Sequence, residues 1–218
     1  MQKFNNANEA FEFYLIEILE KGISFSNTQT LFDIGFLIEN PTDRIITNEQ
    51  RNFSTKYAER EWKWYESGDP CAKEISKHAP IWKNHMDENG KVQSNYGWQW
   101  LRKNQINKAL RILEEDNETR KCVISFYDGK EIDNYKHDTP CTTTVQFHIV
   151  DNKLNMSVHM RSNDLWFGFC NDQYMFSKLL EMCASRLSVA PGTYYHQATN
   201  LHLYNNKIID KQLWKNLI

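Results

Sequence analysis

The sequence has no apolar run long enough to form a membrane-spanning helix. Hydrophobic side chains make up 40% of the 218 residues, but no stretch of about 18 consecutive apolar residues occurs. The opening segment MQKFNNANEAFEF carries charges and amides where a secretory signal needs an apolar run. We therefore expect a cytoplasmic protein that has no membrane partner.

The number and spacing of the cysteines are not those of a disulfide-stabilised fold. Five are present, which is an odd number, and none forms a Cys-x-x-Cys pair, so neither a disulfide framework nor a zinc knuckle is expected. The seven histidines show no His-Glu-x-x-His or other paired spacing. We predict no metal site.

The sequence also lacks an excess of charge of either sign. Lys and Arg total 26 and Asp and Glu total 28, which gives a formal net charge of -2 at pH 7. Because bulk attraction to polymeric nucleic acid needs a basic surface, we do not expect such a partner. A small anionic ligand held by a few local cations is compatible with this balance.

The apolar periodicity predicts one mixed α+β domain over residues 1–218, with no repeat or linker inside it. Predicted helices span residues 8–21, 59–66, 104–115 and 173–187. Predicted strands span residues 31–38, 121–127, 145–150, 154–160 and 201–204. Residues 151–153 have the composition of a hairpin turn, and Pro191-Gly192 reads as another turn.

Two segments carry the candidate chemistry. In residues 161–172, RSNDLWFGFCND, an Arg-Ser pair is followed at fixed offsets by Asp164, Gly168 and Asp172. In residues 140–147, PCTTTVQF, a Pro-Cys pair precedes a Gln-Phe pair. These segments resemble the nucleotide-binding and nucleophile segments of the thymidylate synthase family, and the resemblance extends over about residues 8–206. Asp at position 172, where that family usually has Asn, is typical of its deoxycytidylate hydroxymethylase branch.

The resemblance implies a single-domain fold in which helices pack a twisted mixed sheet, and a homodimer formed through the sheet face. It implies one-carbon transfer from 5,10-methylenetetrahydrofolate to C5 of a pyrimidine nucleotide, with dCMP the expected substrate and water completing a hydroxymethyl group. If a phage encodes the chain, the compartment would be the host cytoplasm.

Cys141 is implied to be the nucleophile. A lone cysteine is more often a small buried apolar residue. A thiolate, however, suits addition to C6 of a pyrimidine, which makes C5 nucleophilic. Arg161 would return beside this thiol and supply positive charge.

The resemblance also implies a phosphate site. Arg161 and Ser162 would bind the nucleotide phosphate, and Arg120 and Lys121 would reach it from the other subunit, although basic pairs beside turns are commonly just solvated. Phe25 stands where the family has a loop arginine, so that contact is not expected.

The remaining site assignments concern the sugar, the base and the folate. His202 and Tyr204 would hold the sugar hydroxyl, since alternation along a strand puts both on one face, whereas a lone His on an apolar strand is more often a core residue. Glu61 would bind folate and orient the attacking water, with Glu59 as the alternative if the alignment is shifted. The other assigned residues are Tyr96 near the base and Trp82, Asp164 and Gly168 at the folate, with His85 replacing a second Trp.

Asp172 would determine the specificity for the base. Uracil presents an acceptor at O4 and a donor at N3, which suits the amide of Asn. Cytosine presents an amine, and its N3 gains a proton during C6 addition, which suits a carboxylate. A slip of one residue would put Asn171 in the pocket. The alternatives are a methylating synthase, an enzyme acting on CMP, and a nucleotide-binding or RNA-binding protein without turnover.

Overall fold

The computed structural model describes residues 1–136 and 138–208. Its α-helices are α1 (Ala7–Lys21), α2 (Thr55–Ser67), α3 (Trp82–His85), α4 (Tyr96–Leu101), α5 (Gln105–Glu115) and α6 (Gly168–Arg186). Its strands are β1 (Gln2–Phe4), β2 (Ile23–Phe25), β3 (Thr28–Ile38), β4 (Val123–Ser125), β5 (Thr142–Val150), β6 (Lys153–Met160), β7 (Asn163–Asp164) and β8 (Ala190–Tyr204). Short 3-10 helices occur at Ile75–Lys77, Arg102–Asn104, Gly129–Asn134 and Asn205–Lys207.

The eight strands form one mixed sheet. Six follow the order β1-β3-β8-β6-β5-β4, while β2 pairs with β3 and β7 pairs with β8. β6 and β8 run parallel, whereas β3 and β8 run antiparallel. Helices α1 and α6 pack on this sheet through a core of aromatic and aliphatic side chains that includes Phe11, Phe36 and Phe169. The predicted α+β fold with a mixed sheet packed by helices is confirmed.

Local sequence signals fix several elements. Asn6 caps α1 by accepting from the backbone N of Glu9, and the helix ends at Gly22 as predicted. The hairpin of β5 and β6 is confirmed, but its turn has two residues, because Lys153 already pairs with Val150. Asp151 and Asn152 both have positive φ (50° and 56°), the conformation of the turn that suits the twist of antiparallel strands.

Other predicted boundaries are wrong. Pro191 and Gly192 form no turn: both lie in β8, where Pro191 pairs with Leu154. Proline is tolerated there because it is near the beginning of the strand and beside an irregularity in the β6 pairing. The strand predicted over 121–127 is only Val123–Ser125, and the helix predicted from residue 173 begins at Gly168.

Within the described ranges, no helix is both long and apolar enough to cross a membrane. Residues 209–218, which the domain prediction includes, lie outside the described residues.

Candidate active site

The antiparallel pairing of β5 and β6 brings Arg161 beside Cys141. Thr142 pairs with Met160, so the residues just beyond this pair are also adjacent. The backbone N of Arg161 donates to the carbonyl oxygen of Cys141 at 2.8 Å, and its Nη2 lies 3.8 Å from Cys141 Sγ. Local strand pairing thus produces the juxtaposition that the sequence predicts.

Burial and Arg161 act in opposite directions on the thiol. Burial, with smaller contributions from the carboxyl groups of Asp172, Asp138 and Asp164, raises the pKa of Cys141 to about 11, although Arg161 partly opposes the rise. In the unliganded site the thiol is therefore protonated near pH 7. Forming a thiolate there requires added positive charge or a nearby proton acceptor.

The guanidinium of Arg161 is anchored on one side and open on the other. Its Nε donates to the carbonyl of Pro140 at 3.0 Å and its Nη2 to that of Thr139 at 2.9 Å, yet the residue is exposed. Ser162 next to it is half-buried. A cation fixed in this way suits an anionic ligand arriving from solvent.

Arg120 and Lys121 lie elsewhere, just before β4. Both are exposed, and neither forms an ion pair with any residue that the structure describes. Among residues 1–136 and 138–208, no hydrogen bond or ion pair joins their side chains to the group around Cys141, so their role as phosphate ligands stays a prediction. Phe25 is 53% exposed and its ring contacts Phe32 at 5.4 Å, so β2 supplies no cation at that position.

Asp172 is buried in the first turns of α6 and faces the site. Asn163 Nδ2 donates to its Oδ2 at 2.7 Å. Burial, with repulsion from Glu61 adding to it, raises the pKa of Asp172 to about 8, although interactions with Asn163 and Tyr96 partly oppose the rise. Asn171 is half-buried instead, and its amide donates to the Phe167 carbonyl at 3.0 Å. The side chain among the site residues is therefore that of position 172.

Glu61 is a second buried carboxyl group in the same site. It receives a hydrogen bond from the Tyr65 hydroxyl at 2.9 Å, and its Oε2 has no hydrogen-bond partner among the described residues. Burial raises its pKa to about 7. A buried oxygen without a partner costs stability unless a ligand or water satisfies it.

The alternative Glu59 lies on another face of α2. Its Oε2 accepts from the Tyr174 hydroxyl at 2.7 Å and lies 3.6 Å from Lys178 Nζ. The hydrogen bond from Tyr174 lowers its pKa, with Lys178 and Lys63 adding to this effect. Glu61, not Glu59, is therefore the helix acid beside Asp172.

Tyr96 closes the buried side of the site. Its ring stacks on Phe176 with centroids 5.6 Å apart. Burial raises the pKa of its hydroxyl well above the usual value, and the nearby Asp172 and Cys141 add to this shift. The hydroxyl therefore stays protonated and can donate to either group.

His202 and Tyr204 lie on one face near the end of β8, as predicted, since their rings contact at 5.2 Å. His202 Nδ1 is 2.8 Å from Asn200 Oδ1, and burial lowers the pKa of the imidazole. β7 pairs with this part of β8, so Asp164 is opposite His202. These contacts bring the pair next to segment 161–172.

The residues assigned to folate lie on α3, on β7 and at the beginning of α6. Trp82 Nε1 donates to the Tyr57 hydroxyl at 2.8 Å, and its ring lies 5.9 Å from that of His85. Asp164 accepts from the backbone N of Trp166 at 2.9 Å, and burial raises its pKa to about 6. Gly168 opens α6, and a Cβ there would approach Asp172 Oδ2 to 3.5 Å. Glycine at this position therefore keeps the space beside the carboxyl group open.

Several residues of the site are absent from the sequence-based prediction. Asn163 stands inside the motif but was not assigned, and its partner His196 is buried, with Nε2 3.1 Å from Asn163 Oδ1. Tyr57 and Tyr65 flank Glu61. Their spacing from Glu61, four residues on either side, is the one signal that could have indicated a shared helix face.

In chemical terms, the arrangement combines a thiol, a fixed cation and two buried carboxyl groups that titrate near neutral pH. Such a set can provide a nucleophile together with acid and base catalysis. Among the described residues, no cluster of three or more His, Cys, Asp or Glu side chains is arranged to hold a metal ion.

Sequence comparison relates the chain to known proteins. The family model described as thymidylate synthase matches residues 21–216. The chain is 31% identical over 176 residues to the deoxycytidylate 5-hydroxymethyltransferase of Enterobacteria phage T2, covering 74% of this chain and 72% of the relative. It is 32% identical over 165 residues to the protein of that name from Enterobacteria phage T4, covering 69% and 67%. A thymidylate synthase of Clostridium beijerinckii is 25% identical over 164 residues, covering 75% and 62%.

Proposed function

Because the chain belongs to the thymidylate synthase family, whose members are folate-dependent pyrimidine-nucleotide transferases, we propose that it hydroxymethylates dCMP at C5. The similarity to the deoxycytidylate 5-hydroxymethyltransferases of two phages supports the choice of base. The co-substrate of the family is methylenetetrahydrofolate, which supplies the one-carbon unit when bound.

The observation that carries this proposal is the buried carboxyl group of Asp172. Asn163 and Tyr96 hold it by favourable interactions in the site that contains Cys141, and Glu61 is its acidic neighbour there. A carboxyl group can accept from the exocyclic amine of cytosine and can also transfer a proton to N3, whereas the amide of Asn can form hydrogen bonds but has no proton to transfer. Uracil offers no such amine.

For the other residues we propose the roles that the family resemblance implies. Cys141 Sγ attacks C6, and Arg161 stabilises the thiolate from 3.8 Å while its open side and Ser162 bind the phosphate. His202 and Tyr204 hold the sugar hydroxyl, and Tyr96 donates to groups around the base. Trp82, Asp164 and Gly168 hold the folate.

Glu61 completes the hydroxymethyl group by orienting water. Its Oε2 is buried and has no partner among the described residues, so a water molecule or folate group would satisfy it. As a carboxylate it can accept a proton from water as the oxygen attacks the exocyclic methylene carbon. This role separates hydroxymethylation from methylation.

We also propose a homodimer in which Arg120 and Lys121 reach the phosphate site of the other copy. Their exposure, without an ion pair among the described residues, supports this role. All five cysteines are free, which suits the reducing cytoplasm of a cell, or of a host if the source is a phage.

The test is product analysis by mass spectrometry with methylenetetrahydrofolate and dCMP, CMP or dUMP. We expect the wild type to form 5-hydroxymethyl-dCMP, and Asp172→Asn to lose at least about tenfold in kcat/KM for dCMP while gaining activity on dUMP. Asn171→Asp is the matched control and should leave dCMP preferred. Preference of the wild type for dUMP or CMP, or dihydrofolate formed in step with product, would contradict the proposal.

A further inference from the structure

A buried chain of hydrogen bonds continues from Asp172 away from the pocket. Asn163 Nδ2 is 2.7 Å from Asp172 Oδ2, and Asn163 Oδ1 is 3.1 Å from His196 Nε2. His196 Nδ1 is in turn 2.7 Å from the Tyr194 hydroxyl. All four side chains are buried, so no bulk water competes for these contacts.

The direction of donation along the chain is fixed by Gln173. The amide nitrogen Nε2 of Gln173 lies 3.4 Å from the Tyr194 hydroxyl oxygen and 3.3 Å from His196 Nδ1, and an amide nitrogen can only donate. Nδ1 is therefore the acceptor of a neutral ring, and Nε2 carries the hydrogen. Burial lowers the pKa of His196 to about 3, which agrees with a neutral ring.

A neutral His196 with hydrogen on Nε2 sets the orientation of the next amide. It donates to the oxygen of Asn163, so the NH2 group of Asn163 must face Asp172. An Asn163 amide turned the other way would place two donors against each other at His196, and two acceptors against each other at Asp172 both when Asp172 is the carboxylate and when its hydrogen is on Oδ1.

We propose that Asn163 is a positioning residue that fixes Oδ2 of Asp172 as the acceptor for the cytosine amine, which leaves Oδ1 to exchange the N3 proton, and that His196 sets its orientation. The inference rests on the proposed function, because it concerns how Asp172 recognises cytosine. Oδ2 can accept from Asn163 and from the amine at once, since a carboxyl oxygen has two lone pairs.

This division of the two oxygens suits both stages of the reaction. With hydrogen on Oδ1, Asp172 complements neutral cytosine by donating to N3 and accepting from the amine. Cys141 adds to C6 as a thiolate after its S–H proton has passed to bulk water. As the S–C6 bond forms, the C5=C6 pair moves to C4–C5 and the C4=N3 pair moves to N3, where an N–H bond forms as the O–H bond at Oδ1 breaks, so N3 is protonated without an outside acid. The carboxylate that remains is stabilised by the hydrogen bond from Asn163.

Other groups that face Asp172 also affect its protonation. Repulsion from Glu61 of α2 and Asp164 of β7 favours the protonated form, whereas interaction with Tyr96 of α4 favours the carboxylate. The thiol of Cys141 before β5 and the hydroxyl of Tyr194 on β8 are also close enough to respond to its charge. Removing Asn163 therefore shifts the balance toward the protonated form.

The test is the steady-state kinetics of Asn163→Leu with dCMP from pH 6 to 9. We expect kcat to fall about tenfold to a hundredfold, because a hydrogen bond to a charged group is lost in the transition state. KM for dCMP near pH 7 should change little, and dCMP binding, measured by calorimetry, should persist to higher pH than in the wild type. Unchanged kcat and an unchanged pH profile would overturn the inference.

Two more variants keep the test decisive if Asn163→Leu folds poorly. His196→Leu removes the donor to Asn163 without touching Asp172 and should lower kcat in the same direction, while His196→Gln, which can still donate, should restore much of it. If His196→Leu keeps the wild-type kcat and pH profile, His196 has no positioning role.

The matched control is Asn155→Leu. Asn155 is a buried amide on β6, where its Oδ1 accepts from the backbone N of Thr193 on β8 at 2.8 Å, at the end of β6 farther from Asn163. It should keep the wild-type pH profile even if stability falls. If the wild type prefers dUMP, the proposed function is wrong. If the wild type is specific for dCMP but Asn163→Leu keeps its kcat and pH profile, only this inference is wrong.

Discussion

At the residue scale, α2 offers a matched pair of acids for testing the role of Glu61. Glu61 is buried with a pKa raised to about 7, while Glu59 on the same helix is bonded to Tyr174 and Lys178 outside the site. Glu61→Gln keeps the shape of the side chain but cannot accept a proton from water. We expect hydroxymethyl product formation to fall about 10²–10⁴-fold.

The same variant should leave the earlier steps intact. The C5 hydrogen of dCMP should still exchange with solvent, as measured by tritium release, because Cys141 and Asp172 are unchanged. In the wild type, turnover should fall as the pH drops below about 7, since Glu61 then becomes protonated. Glu59→Gln should match the wild type, and equal losses from both substitutions would argue against a special role for Glu61.

At the element scale, the contact of α4 with α2 positions Tyr96 and Glu61 relative to each other. Gly97 makes this contact possible, because a Cβ at this position would collide with the carbonyl of Tyr65. Gly97→Ala must push the two helices apart. Tyr65, whose hydroxyl donates to Glu61, would then move away from the ring of Tyr96.

We expect Gly97→Ala to lower the free energy of unfolding by roughly 1–3 kcal/mol, measured by urea denaturation, and to lower kcat as well. Gly129→Ala is the control, because a Cβ there meets no atom within 4 Å and no helix must move. If both variants had the stability of the wild type, helix contact at Gly97 would not limit the site.

The elements also show what sequence alone could predict. The β5–β6 hairpin is local, because alternating side chains and two turn residues define it within one short segment. The beginning of β8 depends on contacts distant in sequence. Pro191 has the composition of a turn, but pairing with Leu154 on β6 holds it in a strand. Asn163 and His196 are 33 positions apart and meet only through the tertiary fold, so no spacing rule could join them.

At the scale of the whole molecule, the two buried carboxyl groups make stability depend on pH. The pKa of Glu61 is raised to about 7 and that of Asp172 to about 8, both above their ordinary values. Through these two groups the folded state holds more protons than the unfolded state between about pH 4 and 8, so their contribution to stability is greatest at the acid end and falls as the pH rises. Buried His196, whose pKa is lowered to about 3, acts in the opposite direction below about pH 6.5.

We expect the melting temperature of the unliganded wild type to fall between about pH 6.5 and 8, where His196 is neutral in both states, with a flatter profile for Glu61→Gln and Asp172→Asn. Glu59→Gln should retain the wild-type slope, because the pKa of Glu59 is lowered and its titration is complete below this range. A wild-type profile as flat as that of Glu61→Gln would contradict a protonated buried pair.

The proposed dimer can be tested through the division of one site between two copies. Cys141 and Glu61 belong to the same copy, whereas Arg120 and Lys121 would serve the other. Cys141→Ala and Arg120→Glu/Lys121→Glu should each be nearly inactive alone. A hybrid dimer, however, contains one site with an intact thiol that receives intact Arg120 and Lys121 from its partner.

Equal amounts of the two variants, unfolded and refolded together, should recover about a quarter of the wild-type activity, since half of a randomly assembled two-fold population is hybrid with one good site each. Cys141→Ala mixed with Glu61→Gln is the matched control and should recover nothing, because both defects then act within single copies and every hybrid site carries one of them. Two results would exclude a shared phosphate site: activity recovered in the control mixture, or no activity in the test mixture together with sedimentation as a monomer. Arg161 and Ser162 would then bind the phosphate alone.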